Sequence, residues 1–327
     1  MVSDPLKIEA WQRLLRGESL DESSLPRVDG RIDLSGLTLP EPTVVKQWQT
    51  PLANITQIEP AGTFRRVVWR DLDFSGSKLP SLRFYESEIV NCCFDRCQLK
   101  DLRLWATTIR GCSFRRADLR DSALGVATLE PGPLTGKRNS FVEVDFTEAE
   151  LRGTVYIAAA FERCLFRDAK LVDIGFGTST FVDCQFEGEL REVIFWRSNL
   201  LTRGYPEDAF PPNEMLNIDF SCARLINVEF RGLSLDRVRL PKDSEHIVIE
   251  NFAEALDKLI VALTRQGDET ARILVAYLGG YRKWSSPKGR GVLNKQALAD
   301  AVDADAVERV LGLLHQFGLK VDRGLSN

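Results

Sequence analysis

The sequence predicts a solenoid assembled from five-residue units, with helical segments before and after it. Two observations carry that prediction. A large apolar residue recurs at every fifth position in long runs between Phe64 and Leu240, and two residues before it there is usually a small one, so the unit reads small, any, large, any, any. Neither the helical period of 3.6 nor the strand period of 2 produces such spacing. An internal repeat of this kind decides the fold before any single element is assigned.

One phase holds from Phe64 through Trp69, Phe74 and Leu79 to Leu124, Leu129 and Leu134. A second, shifted by two residues, runs from Phe141 to Phe186, and a third, shifted by one, runs from Leu190 through Leu200, Tyr205, Phe210 and Met215 to Leu240. Units such as Ala117-Asp118-Leu119-Arg120-Asp121 and Ala169-Lys170-Leu171-Val172-Asp173 follow the pattern A(D/N)LXX and resemble the pentapeptide-repeat family. The resemblance implies a mainly β fold, a right-handed quadrilateral β-helix with four units to a coil, in which residues twenty apart stack. Phe74, Phe94 and Phe114 then form one ladder and Leu79, Leu99 and Leu119 the next. Phe141, Phe161 and Phe181 form another, as do Phe146, Phe166 and Phe186. Residue type is kept at that spacing, which supports a four-sided coil from the sequence itself.

Three regions follow. Residues 1–60 form an N-terminal cap region, because an uncovered coil end exposes edge hydrogen bonds. Within it, residues 7–15 read as an amphipathic helix with Ile8, Trp11, Leu14 and Leu15 on one stripe. Leu34 and Leu39 share the phase of Phe64, so a partial first coil is expected at 32–39, followed by an interruption that includes a short helix around 44–48. Residues 61–242 are the repeat domain, broken by a Pro- and Gly-rich loop at 130–140 and by a looped-out half coil at 202–214. Residues 243–327 are a C-terminal α-helical domain: Phe252, Leu256, Leu259, Ile260 and Leu263 mark one helix, and Ile273, Leu274, Tyr277, Leu278 and Tyr281 a second. Residues 293–321 resemble a helix-turn-helix or winged-helix unit, with Asp303 or Asp305 as an N-cap and Gly318 closing the last helix.

The seven cysteines do not follow metal-ligand spacing. Five of them (Cys92, Cys97, Cys112, Cys164, Cys184) occupy the inward small position, where a thiol packs as a small hydrophobe. No cofactor is expected. The two histidines, His246 and His315, have no recognisable nucleophile or carboxylate constellation around them, and no phosphate-binding glycine motif is present, so the chain reads as non-enzymatic. There is no apolar run long enough to span a membrane and no secretory segment, which places the protein in the cytoplasm.

Function is then sought on the surface. The resemblance implies one activity above others, protection of DNA gyrase and topoisomerase IV by acidic rods that imitate duplex DNA. The charge is divided here: from Arg65 to Glu130 twelve basic residues face nine acidic ones, whereas from Glu143 to Asp183 eight acidic residues face four basic ones, and the total of −4 hides the division. A duplex mimic calls for one sign along its length. The stacked pairs Arg83/Arg103 and Arg96/Arg116, with the aromatic pair Tyr85/Trp105 beside the first, are candidate partner-binding positions; so are Glu148 and Asp168, and Lys283 and Trp284 in a basic loop running to Arg290. The favoured reading is a scaffold for a protein partner, with a topoisomerase as the alternative and nucleic-acid binding through the C-terminal helices as a third. The last is disfavoured because residues 289–327 balance five basic against five acidic residues. A homodimer is compatible with all three.

Overall fold

The computed structural model describes residues 4–20, 24–49, 54–125, 134, 136–198, 210–319, 321 and 322. They fall into two compact units, 1–170 and 171–327.

The first unit coils with four sides. On the first face Gly62–Arg65, Leu82–Tyr85, Arg103–Trp105 and Ala123–Gly125 lie side by side as parallel strands, with Phe64 beside Phe84 and Arg83 beside Arg103. The second face repeats this with Val68–Arg70, Glu88–Val90, Thr108–Arg110, Ser140–Val142 and Ala160–Glu162. The third and fourth faces are held by single parallel bridges, Asp73 to Cys93 to Ser113 and Lys78 to Gln98 to Asp118. A left-handed residue two positions after the large one turns the chain from face to face: Arg66 at φ 54°, Asn91 at φ 51° and Asp101 at φ 59° are examples. Gly76 and Gly111 take the same place, where a residue without Cβ is unstrained.

This turn explains the period of five. Three residues run along a face and two make the corner, so each unit sends two side chains inward. The large ones stack: ring centroids are 5.4 Å apart for Phe74–Phe94, 4.8 Å for Phe94–Phe114, 5.6 Å for Phe114–Phe146 and 5.0 Å for Phe146–Phe166. The small ones accept hydrogen bonds from the coil before, as Ser122 Oγ does from the Leu102 amide at 3.1 Å and Cys112 Sγ from the Cys92 amide at 3.3 Å. The five inward cysteines are buried, and all seven are free thiols.

The phase shift of two has a definite origin. Thr108 lies beside Glu88, twenty residues earlier, but beside Ser140, thirty-two residues later, so twelve residues are inserted between one coil and the next. The chain re-enters through Asn139, which is fully buried at the small inward position. Its Oδ1 accepts from the Thr107 amide at 3.0 Å, and its Nδ2 donates to the carbonyls of Leu104 and Leu124 at 2.9 and 3.0 Å. Leu134, counted as a repeat position from its phase, sits in a turn of this insertion; Leu129 lies outside the described residues.

Helix α1 (Pro5–Leu15) starts at the N-cap Asp4 and covers the first coil. Trp11 meets Phe64 at 5.6 Å and Trp69 at 6.1 Å, edge to face. Gly62 makes room for it: a Cβ there would lie 2.8 Å from the Phe64 ring and 3.1 Å from Trp11. Ile8, placed on the buried stripe from spacing alone, is exposed; Ala10, Trp11 and Leu14 are the residues that pack. The partial coil at 32–39 is present, with Ile32 beside Leu72 and Thr38 beside Lys78. The short helix expected at 44–48 is instead a strand, Thr43–Gln49, in an antiparallel hairpin with Asn54–Glu59. Val44, Val45 and Trp48 suit a helical stripe by spacing, but β-branched and aromatic residues favour the pleated form. All three remain well exposed.

The second unit continues the five-residue pattern and ends in a mixed module. Leu171 lies beside Leu190, a coil of nineteen residues that accounts for the shift of one, and Leu190 lies beside Leu225, thirty-five residues on. The second insertion is therefore fifteen residues. Leu200 and Tyr205 lie outside the described residues, and Phe210, read as a repeat position, is buried in a bend. Re-entry again uses a buried asparagine, Asn213, whose Oδ1 accepts from the amides of Phe181 and Met215.

The C-terminal segment contains the expected helices, α2 (Phe252–Gln266), α3 (Glu269–Trp284), α4 (Lys295–Ala301) and α5 (Ala304–Gln316). Asp303 is the N-cap of α5, and Gly318 is left-handed just beyond its end. The helices are not alone: His246–Ile249 is the centre of a three-stranded antiparallel sheet between Gly291–Asn294 and Val321–Asp322. His246–Ile249 and Gly291–Asn294 are both buried throughout, so they show no alternation from which a strand could be read.

Candidate interaction surfaces

Because the inner ladders take two side chains of every unit, whatever else the coils do must use the other three. On the first face the outward ladder is Arg65, Tyr85, Trp105. Tyr85 and Trp105 stack at 4.4 Å with 2° between their planes, and the Arg65 guanidinium lies 4.0 Å from the Tyr85 ring centre. The predicted aromatic pair is thus present, with a cation over one end that sequence reading did not assign to it. Spacing of twenty would have found Arg65.

Arg83 and Arg103 stand beside this stack, but they do not form a bare basic stripe. Both grip Asp101, at 2.5 and 2.6 Å, and Arg83 also donates to the Asp101 carbonyl. Burial pushes the Asp101 carboxyl up, while hydrogen bonds from Ser81 and Arg83 and the charge of Arg103 more than reverse this and leave it below its ordinary value. Similarly Arg116 forms a two-pronged pair with Glu148 at 2.7 and 3.0 Å, which holds the Glu148 carboxyl low. Lys100 and Arg120 share Asp118. Like charges twenty apart therefore alternate with carboxylates from the neighbouring position, because a stripe of stacked cations alone is unfavourable. The Arg96 side chain makes no hydrogen bond or ion pair among the described residues, and Asp168 is exposed at a left-handed corner.

The acidic half is interleaved in the same way. Glu143 pairs with Arg163, and Glu150 with Arg152. Neither half carries a face of one sign.

In the second unit, Arg282, Lys283 and Trp284 belong to the last turn of α3 and not to a basic loop. Arg231 lies 4.5 Å from the Trp196 ring centre and 5.0 Å from that of Trp284, and the two rings meet at 5.4 Å, so Trp284 is engaged on one side. Lys283 lies 5.0 Å from the same ring. Arg282 pairs with Asp257, and Arg290 donates to the carbonyls of Leu235 and Val238. Helix α5 presents Asp305 and Glu308 outward and ties Arg309 to Asp268. His246, read as lacking a carboxylate neighbour, has one: buried, it donates from Nδ1 to Asp243 at 2.8 Å and accepts at Nε2 from the Leu225 amide at 3.0 Å. One ring nitrogen thus holds a backbone amide and the other a side-chain carboxylate. Among the described residues no cluster of His, Cys, Asp and Glu is arranged to hold a metal ion, and no helix is long and apolar enough to cross a membrane.

A coil of four five-residue sides, a left-handed corner after each, and paired small and large inward residues together decide the architecture. The fold is a pentapeptide-repeat β-helix. No family model matches the sequence, and no curated protein does. Among solved structures, a trypsin-treated form of QnrB1, described as a plasmid-mediated fluoroquinolone resistance protein, is 16% identical with a TM-score of 0.24, over 55% of this chain and 90% of that one. HetL, a pentapeptide repeat protein involved in heterocyst differentiation regulation from the cyanobacterium Nostoc, is 13% identical with a TM-score of 0.17, over 54% and 86%. Rfr23, a pentapeptide repeat protein from the cyanobacterium Cyanothece, is 16% identical with a TM-score of 0.15, over 37% and 82%. At such scores the fold rests on the coil register and the repeated corner of the pentapeptide-repeat β-helix itself.

Proposed function

We propose that this pentapeptide-repeat chain is a non-enzymatic scaffold that holds a protein partner on the first face of its N-terminal unit. The observation that supports the reading is the outward stack of Arg65, Tyr85 and Trp105. Aromatic and arginine side chains in a pre-ordered stack are the groups from which interface anchors are made, because little side-chain freedom is lost when a partner covers them. Arg83 and Arg103, fixed by Asp101, supply a polar rim. The test is capture from host lysate with the full chain, with Trp105→Ala and with Arg103→Glu. Loss of the same partner from both variants, at unchanged melting temperature, supports the surface; equal recovery by all three sinks it.

A topoisomerase is one partner this surface could hold. The interleaved ion pairs weigh against the duplex-mimic form of that idea, since they remove the single-sign field an enzyme would read. Supercoiling by purified gyrase in the presence of a gyrase poison decides it: activity preserved by this protein would establish protection.

A further inference from the structure

The fourth face differs from the first in that its charges are not fully matched. A groove of about 510 Å³ runs there, and five cations line it: Lys78, Arg96, Lys100, Arg116 and Arg120. Two carboxylates line it with them, Glu41 and Asp118, and Arg116 is already paired with Glu148. Arg120 takes both oxygens of Asp118, at 2.8 and 2.7 Å, and leaves Lys100 at 3.8 Å. Lys78 and Arg96 are exposed, and their side chains have no hydrogen-bond or ion-pair partner among the described residues. Their ladder neighbours explain why. Lys78 stands between Thr38 and Gln98, and Arg96 follows Gly76 and precedes Arg116, so no carboxylate reaches either.

We propose that this groove binds an acidic polypeptide segment. It is a second surface, and it does not depend on the aromatic face. The cations come from three successive coils, which at strand spacing span about 10 Å, the length of three or four extended residues. Alternate side chains of such a segment are about 7 Å apart and can address the cations singly, while its amide groups donate to Asp118 and Glu41. A nucleic-acid strand fits less well. Its phosphates recur about every 3.4 Å along the strand with no amide donor between them, so nothing in its backbone answers the two carboxylates in the groove.

The experiment is a titration of the full chain with poly-L-glutamate and with oligothymidylate of equal charge, at about 50 mM and about 200 mM salt. Three proteins are compared: wild type, Lys78→Glu/Arg96→Glu, and the control Arg70→Glu/Arg110→Glu, whose arginines are exposed on the second face. The expected result is salt-sensitive binding of poly-L-glutamate that weakens at least tenfold in the groove variant and less than twofold in the control. If the reversal variant does not fold, Lys78→Gln/Arg96→Gln serves, with a loss of about three- to fivefold. No binding to wild type, an equal loss in the control, or tighter binding of oligothymidylate overturns the proposal.

Discussion

Two aromatic ladders run along the first unit at the same interval, one inside and one outside. The inner ladder of Phe74, Phe94, Phe114, Phe146 and Phe166 is buried throughout, and Phe74, Phe146 and Phe166 also meet rings of the adjoining face. The outer ladder of Arg65, Tyr85 and Trp105 has the same spacing imposed on it by the parallel register, yet one side of it faces water. Stacking distance alone therefore says nothing about purpose. What differs is the alternative state: an inner ring has no other place to go in the folded coil, whereas an outer ring can exchange water for a partner.

The contrast is sharpest for Phe114→Ala, which empties a fully packed site and is expected to cost about 3–5 kcal/mol, read as a lower urea midpoint. Next comes Asn139→Ala, with a loss of about 2–3 kcal/mol, because the Thr107 amide and two carbonyls lose their buried partner. A loss below half that would show that the insertion holds itself in place. Asp101→Asn, at the outer surface, is expected to cost about 1 kcal/mol, partly screened by solvent. Since the Asp101 carboxyl is held below its ordinary value, its contribution is present above that value and disappears as the pH falls through the lowered one. Denaturation at pH 7 and at pH 3 should thus separate wild type from variant more widely at the higher pH. Trp105→Ala should lower stability by less than about 1 kcal/mol while abolishing capture of a partner; a loss comparable to Phe114→Ala would make the outer ladder part of the core. The smallest effect has the opposite sign. Ala106 occupies a left-handed corner at φ 51°, so Ala106→Gly is expected to raise stability by about 0.5 kcal/mol.

Much of the architecture could be read from the sequence because the coil is a local rule repeated. The spacing of twenty placed Tyr85 over Trp105 and Phe94 between Phe74 and Phe114, and repeat position placed five of the cysteines inward. What could not be read depends on side chains from different units meeting at the surface. Arg103 was legible as a neighbour of Arg83, but not Asp101 as the anion between them, since corner residues follow no apolar pattern. The hairpin at 43–59 was missed for another reason. The side chains of Thr43–Gln49 are all exposed, so no burial fixes a period there, and spacing favoured a helix where side-chain branching favoured a strand.

The two insertions behave like changes of reading frame. Twelve residues before Asn139 displace the frame by two and announce themselves, whereas fifteen residues before Asn213 restore it and show only in Arg203, Asp208 and Asn213 at the small inward positions. A count of frames thus overestimates the number of coils wherever an excursion happens to be a multiple of five. It also follows that length is not what the chain measures on its return. An asparagine that fits beneath the previous coil is the landing mark, and a foreign segment of any length, spliced ahead of it, should leave the coils beyond undisturbed.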